Sequence, residues 1–174
     1  DLQLNSVNID GAFRWETQLN VSKHNDKVTD YYYEPSNAYE YVRGNTATVS
    51  GIVGRPVYTV NSFKSFGLDG NGDPIGLLNG VQSKDYGNIT QKGTTLSELV
   101  FHGAALPTFF GNVQQRFAYK GFGLQLSFSF KAGYYFRRTS INYASLINAG
   151  LGHSDFGLRW QKPGDEQSTN IPAF

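Results

Sequence analysis

Two stretches of the chain alternate strictly between apolar and polar positions. From Phe13 to Ser22, the residues Phe13, Trp15, Thr17, Leu19 and Val21 share one phase, and Arg14, Glu16, Gln18, Asn20 and Ser22 share the other. Successive side chains of a β-strand point to opposite faces, so this pattern predicts a strand with one apolar face. Residues 2 to 9 read as a second strand of blurred phase, and Asp10-Gly11 between the two signals a tight turn of the primed hairpin type. Farther along, Phe122, Leu124, Leu126, Phe128, Phe130, Ala132 and Tyr134 alternate with Gly123, Gln125, Ser127, Ser129, Lys131 and Gly133. This run follows a stretch from Gly111 to Tyr119 and a turn at Lys120-Gly121. The fold expected is all-β: two long antiparallel hairpins, over residues 2–26 and 107–136, with long loops over 27–106 and 137–174.

The second apolar run outlasts the usual five or six residues of a strand and meets the roughly 9 to 11 that a tilted strand needs to cross a bilayer. The loop over 27–106 is rich in glycine, asparagine, tyrosine and serine, with a strand-like piece at 57–66 and a helical turn at 94–100. Long loops alternating with very short turns reproduce the asymmetry of outer-membrane barrels, whose long loops are extracellular. The expectation is therefore a partial segment of a transmembrane β-barrel. Alternation alone does not say whether lipid or a second sheet meets the apolar face, so a soluble β-sandwich, as a carbohydrate-binding or adhesin-like module, is the alternative. Aromatic residues near both ends of the strands (Phe13 and Trp15, Tyr119 and Phe122, Tyr134 to Phe136) suit two membrane interfaces better than one dry core.

Composition narrows the function classes. Fifteen lysines and arginines against 14 acids leave a net charge of +1, so no field exists to hold a polyanion, and nucleic-acid binding is not expected. The absence of cysteine removes disulfide frameworks, thiol nucleophiles and thiolate metal sites together. A chain that starts Asp1-Leu2 and contains no methionine is expected to be a processed protein or a piece of a longer one. No run of about 18 apolar residues occurs, so a membrane would have to be crossed by strands.

Candidate chemistry is sparse. Asp69, Asn71 and Asp73 have the spacing that opens a calcium loop, but Pro74 and Gly80 stand where glycine and a bidentate glutamate are needed, so an Asx turn is expected there. His153-Ser154-Asp155 contains triad residue types, yet neighbours in sequence do not align nucleophile, base and orienting acid. No enzyme, metal or cofactor is expected. Tyr31, Tyr32, Tyr33, Tyr39, Tyr41 and Trp160 fall in the proposed extracellular loops, where flat rings stack on ligand faces or on one another. Between Leu99 and Ser154 lie Arg116, Lys120, Lys131, Arg137 and Arg138 and no acidic residue. For Arg137 and Arg138 two arrangements are open: lipid phosphates at the membrane edge, or Asp155, Asp165 and Glu166 in the following loop.

Several segments in order carry a resemblance. Phe13-Arg14-Trp15-Glu16-Thr17 with Asn20-Val21-Ser22 and Asn25-Asp26-Lys27-Val28 open the series, and Gly54-Arg55-Pro56-Val57-Tyr58 and Gly67-Leu68-Asp69 with Gly72-Asp73-Pro74 follow. Then come Pro107-Thr108-Phe109-Phe110-Gly111, Tyr119-Lys120-Gly121-Phe122, Gly133-Tyr134-Tyr135-Phe136-Arg137-Arg138, and Arg159-Trp160 through Asp165-Glu166. Together these resemble the C-terminal barrel part of SusC/RagA-type TonB-dependent transporters. The resemblance implies a Bacteroidetes outer-membrane protein that imports a small nutrient, a glycan or a peptide. Its parent would be a 22-stranded barrel with an N-terminal plug, partnered by a SusD-like surface lipoprotein and the TonB complex and surrounded by outer-membrane lipid. Four strands alone cannot close such a barrel, so the function belongs to the parent molecule.

Overall fold

The computed structural model describes residues 1–33, 37–42, 49–91 and 93–174. Residues 34–36, 43–48 and 92, all in the predicted 27–106 loop, lie outside the described residues. Antiparallel strands dominate, helices are few and short, and no closed barrel is formed among the described residues. The chain divides into two compact units, one from the described parts of Asp1–Tyr32, Ala47–Thr59 and Gly103–Tyr135, the other from those of Tyr33–Thr46, Val60–His102 and Phe136–Phe174.

The first unit is built on a four-stranded sheet. Strands β1 (Leu2–Asp10) and β2 (Phe13–Lys23) form one hairpin. Two later strands, numbered β8 (Phe109–Tyr119) and β9 (Phe122–Ala132) in chain order, form another, and β2 pairs with β8, giving the order β1-β2-β8-β9. Strands β2, β8 and β9 each run 11 residues, and the β2–β8 and β8–β9 registers are unbroken from end to end. The blurred phase of β1 has a local cause: its register shifts between Val7 and Ile9, so Asn8 is an extra residue and Ile9 returns to the apolar phase opposite Trp15.

The two turns differ. Lys120 (φ 47°) and Gly121 (φ 86°) both take the left-handed conformation between the paired Tyr119 and Phe122, the two-residue primed turn whose twist matches the strands. The Asp10-Gly11 turn departs from its prediction. Asp10 pairs with Arg14, Gly11 and Ala12 lie between the two strands, and neither has positive φ. The extra residue at Asn8 already changes the approach of β1, so the primed geometry is not required there. In the same unit Val28 and Ile52 are buried, and their segments are stitched by Val28 N–H to Arg55 O, Gly54 N–H to Val28 O, and Val57 N–H to the Asp26 carboxylate at 2.6 Å.

The second unit contains the helical turn α1 (Tyr39–Val42), the short strands β4 (Ser65–Leu68), β5 (Pro74–Leu78) and β6 (Val81–Ser83), and helices α2 (Tyr86–Thr90) and α3 (Tyr143–Ala149). Strands β4, β5 and β6 form a three-stranded antiparallel sheet in that order. Its β5–β6 hairpin turns on Asn79 (φ 50°) and Gly80 (φ 78°), again the primed type. A 3-10 turn at Leu96–Glu98 lies within the predicted helical turn at 94–100, held by a capping box between Thr95 and Glu98. Leu68, Ile89 and Leu99 are buried, with Ile89 packed on Gly76 of β5. Two further strands, β3 (Thr59–Ser62) and β7 (Val100–Ala104), pair with each other.

Candidate functional site

The register of the four-stranded sheet sorts its side chains into two faces. One carries Leu2 and Leu4 from β1, Phe13, Trp15, Leu19 and Val21 from β2, Phe109, Val113 and Phe117 from β8, and Phe122, Leu124, Leu126, Phe128 and Phe130 from β9. Burial normally hides such a face, yet Leu4 is 52% exposed, Leu124 55% and Phe128 60%. The other face carries Glu16, Gln18 and Asn20 of β2 beside Arg116, Gln114 and Asn112 of β8, and these beside Gln125, Ser127 and Ser129 of β9. It is held by polar contacts: Arg14 to Glu16 at 2.7 Å, Asn112 Nδ2 to Ser127 Oγ at 2.8 Å, and Arg116 Nε to Gln125 Oε1 at 3.2 Å. A shallow groove of about 270 Å³ runs along it past Asn5, Glu16, Gln18, Gln114 and Arg116.

Aromatic rings gather toward both ends of the apolar face. At the turn end, Phe117 stacks on Phe13 and Trp15 with ring centres 6.2 and 6.0 Å apart, and the Lys120 ammonium sits 5.2 Å from the Tyr119 ring. At the other end, Phe109 and Phe130 are 5.5 Å apart. Phe130 lies over Gly111, where an added Cβ would stand 2.6 Å from the ring and 2.2 Å from Asn20 O. The bare glycine is thus what allows β8 and the ring to approach so closely.

One polar group interrupts the apolar face. Gln115 shares the phase of Val113 and Phe117, and its Oε1 accepts from Trp15 Nε1 at 2.6 Å and from Thr17 Oγ1 at 2.9 Å. Asn8, the extra residue of β1, donates to Thr17 Oγ1 at 2.6 Å. The sequence pattern held the signal, a glutamine at an apolar position of β8, but not its partners.

The loop residues singled out from sequence have varied surroundings. Tyr31 lies against Gly51, where an added Cβ would overlap its ring, while Tyr32 is almost wholly exposed at 98%. Tyr33 is exposed and its hydroxyl is 3.5 Å from Glu40 Oε2; Tyr39 is exposed, and Tyr41 is half-buried with its carbonyl accepting from Asn61 Nδ2. Trp160 covers Gly72: a Cβ there would meet its ring at 2.6 Å. Its indole N–H donates to Glu166 Oε2 at 3.0 Å, and Ala173 N–H donates to Gly72 O.

Arg137 and Arg138 go separate ways. Arg137 donates to the carbonyls of Val42 and Asn61, and Asn61 is fully buried. Desolvation shifts the Arg137 guanidinium below its ordinary pKa. Arg138 grips Asp155 with two nitrogens, at 3.1 and 2.7 Å, and Ser140 Oγ donates to the same carboxylate at 2.6 Å. Asp155 is 3% exposed, and the hydrogen bonds from Arg138 and Ser140 hold its carboxyl below the usual range. His153 Nδ1 accepts from Asp155 N–H.

At the calcium-like loop, Asp69 Oδ1 accepts the backbone N–H of Asn71 and Asp73, both at 2.9 Å, which is an Asx turn. Lys84 Nζ sits 2.7 Å from Asp69 and 2.9 Å from Asp73, occupying the point where their carboxylates converge. Compared with known proteins, the chain matches no family model, and no curated protein is significantly similar to it.

Proposed function

We propose that this chain is a portion of a SusC/RagA-like TonB-dependent outer-membrane transporter that imports a glycan or peptide nutrient. The observation that carries the reading is the sheet of long paired strands with one apolar face left exposed and a polar, amide-rich face behind it. Eleven residues at about 3.4 Å each, tilted by roughly 40°, span close to the 25 Å apolar band of a membrane barrel. In this reading Phe13, Leu19, Leu124, Leu126 and Phe128 meet lipid, the amide ladder lines a wet lumen, and the aromatic groups at both strand ends lie at the two interfaces. Residues 27–106 and 137–174 are then extracellular, since both hairpin turns are too short to be the exposed loops. A SusD-like lipoprotein and the TonB complex would be partners of the parent protein, and Tyr31, Tyr32, Tyr33, Tyr41, Arg137, Arg138 and Trp160 belong to its loop surface.

A second reading, a β-sandwich carbohydrate-binding or adhesin-like module, is favoured by one observation: the hydrogen-bonded group of Asn8, Thr17 and Gln115 on the apolar face suits contact with another sheet. Protease added to intact cells separates the two. The transporter reading expects chymotrypsin to cut beside Tyr32 while trypsin spares Lys120. Cleavage at Lys120 from outside, or at Tyr32 only from the periplasmic side, would overturn it.

A further inference from the structure

The segment after α3 folds around an open groove of about 480 Å³ whose lining is rich in hydrogen-bond donors. Arg138, Arg159, Gln161 and Asn170 contribute donors to it, the Ser168 and Thr169 hydroxyls in the lining already donate to Asp165 O and Leu158 O, and Asp165 is its one carboxylate. From residue 137 to 171 there are four cationic side chains against three acids. All three acids are engaged. Asp155 is held by Arg138 and Ser140, and Glu166 Oε2 accepts from Trp160 Nε1 and Gly164 N–H. Asp165 Oδ2 accepts the backbone N–H groups of Gln161 and Lys162, both at 3.1 Å, closing the 162–168 turn.

Arg159 has no such match. Its guanidinium lies 4.0 Å from the centre of the Phe156 ring and donates one N–H to Phe156 O at 2.9 Å, and no carboxylate among the described residues is within ion-pair distance. It is therefore a fixed cation with donors to spare, and a guanidinium so fixed loses little further freedom on binding. Arg138 is fixed in the same way by its two-point grip on Asp155, and its side chain remains 66% exposed. Asn170 makes no side-chain hydrogen bond among the described residues, leaving its amide available to the groove.

We propose that this groove is an oxyanion-binding site, with Arg159 as the principal charge partner, Arg138 as a second donor, and Gln161 and Asn170 as neutral donors around them. The ligand class is a small solute bearing a carboxylate or a phosphate, both of which fit the planar fork of arginine. The assignment is independent of whether the four-stranded sheet meets lipid.

Titrating the full chain with sodium acetate, and separately with inorganic phosphate, while following the arginine Nε–Hε resonances tests it. Sodium chloride at matched ionic strength is the control. The expected result is a saturable shift of Arg159 and Arg138 with one anion or both, and none at Arg14 or Arg116. Acetate alone would assign a carboxylate ligand, phosphate alone a phosphorylated one. Arg159→Gln should abolish the saturation. Asn170→Ala, which removes no hydrogen bond of the fold, should weaken it severalfold with the Trp160 indole resonance unmoved. Shifts that follow chloride, or that appear equally at Arg14 and Arg116, would overturn the proposal.

Discussion

Gln115 shows how a side chain out of pattern is accommodated. A glutamine on an apolar strand face would leave its carbonyl oxygen without a donor, but the Trp15 indole and the Thr17 hydroxyl both donate to it. Replacing it with leucine restores the alternation and still removes the partner of two donors, so Gln115→Leu should lose about 1 to 3 kcal/mol in denaturant unfolding. A neutral or stabilising result would mean that water satisfies Trp15 and Thr17. Another residue-scale expectation concerns Asp69, whose carboxyl is lowered from 3.8 to about 2 by Lys84 and by the backbone N–H groups of Asp73 and Asn71. A depressed acid contributes stability above its unfolded value and loses it as the pH falls through its folded value, so this turn should hold at pH 4 and loosen toward pH 2. The carboxyl carbon shift of Asp69 would report the midpoint, and Lys84→Gln should move it up; a midpoint near 3.8 in the unaltered chain would contradict the network. Such residue-level facts were mostly illegible beforehand. The oxygen spacing at 69–73 announced an Asx turn, but the lysine that neutralises it arrives from 11 residues beyond Asp73, and Trp160 gives no sequence sign that its surface will be Gly72.

Elements were far more legible, and for a physical reason. A strand in a two-faced sheet must repeat every second residue, so β2 and β9 are visible in sequence as alternation, and Lys120-Gly121 is visible as their kind of turn. Strand β1 was harder because the register shift at Asn8 moves Ile9 onto the face from which strict alternation would exclude it. The β5–β6 hairpin escaped although Asn79-Gly80 is a strong turn signal, because its strands are only five and three residues long and show too few periods to count. The faces themselves carry a prediction. Leu126→Arg on the apolar face should destabilise a membrane-inserted sheet by about 2 to 4 kcal/mol, while Ser127→Arg, one residue on and facing the other way, should be tolerated. Refolding into detergent or lipid with each variant measures the difference, and equal tolerance would mean that the apolar face does not meet lipid.

At the scale of the whole molecule, an all-β chain with few helices was readable from composition and period, whereas the ordered detail of 27–106 and 137–174 was not. Besides their short strand ladders, the described residues of those segments are tied by single long-range bonds, such as Arg137 to Asn61 O and Asp26 to Val57 N–H, which leave no periodic trace. What the sheet is for depends on the medium against its exposed apolar face. Trp15 stands on that face and Trp160 in the later loop, and they are the two tryptophans of the chain, so a Trp160→Phe variant isolates Trp15 as a reporter. The direct measurement is the quenching of Trp15 fluorescence in bilayers containing brominated lipids, compared with quenching by aqueous iodide. A lipid-facing sheet predicts strong quenching by bromine and shielding from iodide; quenching by iodide with no response to brominated lipid would contradict the account.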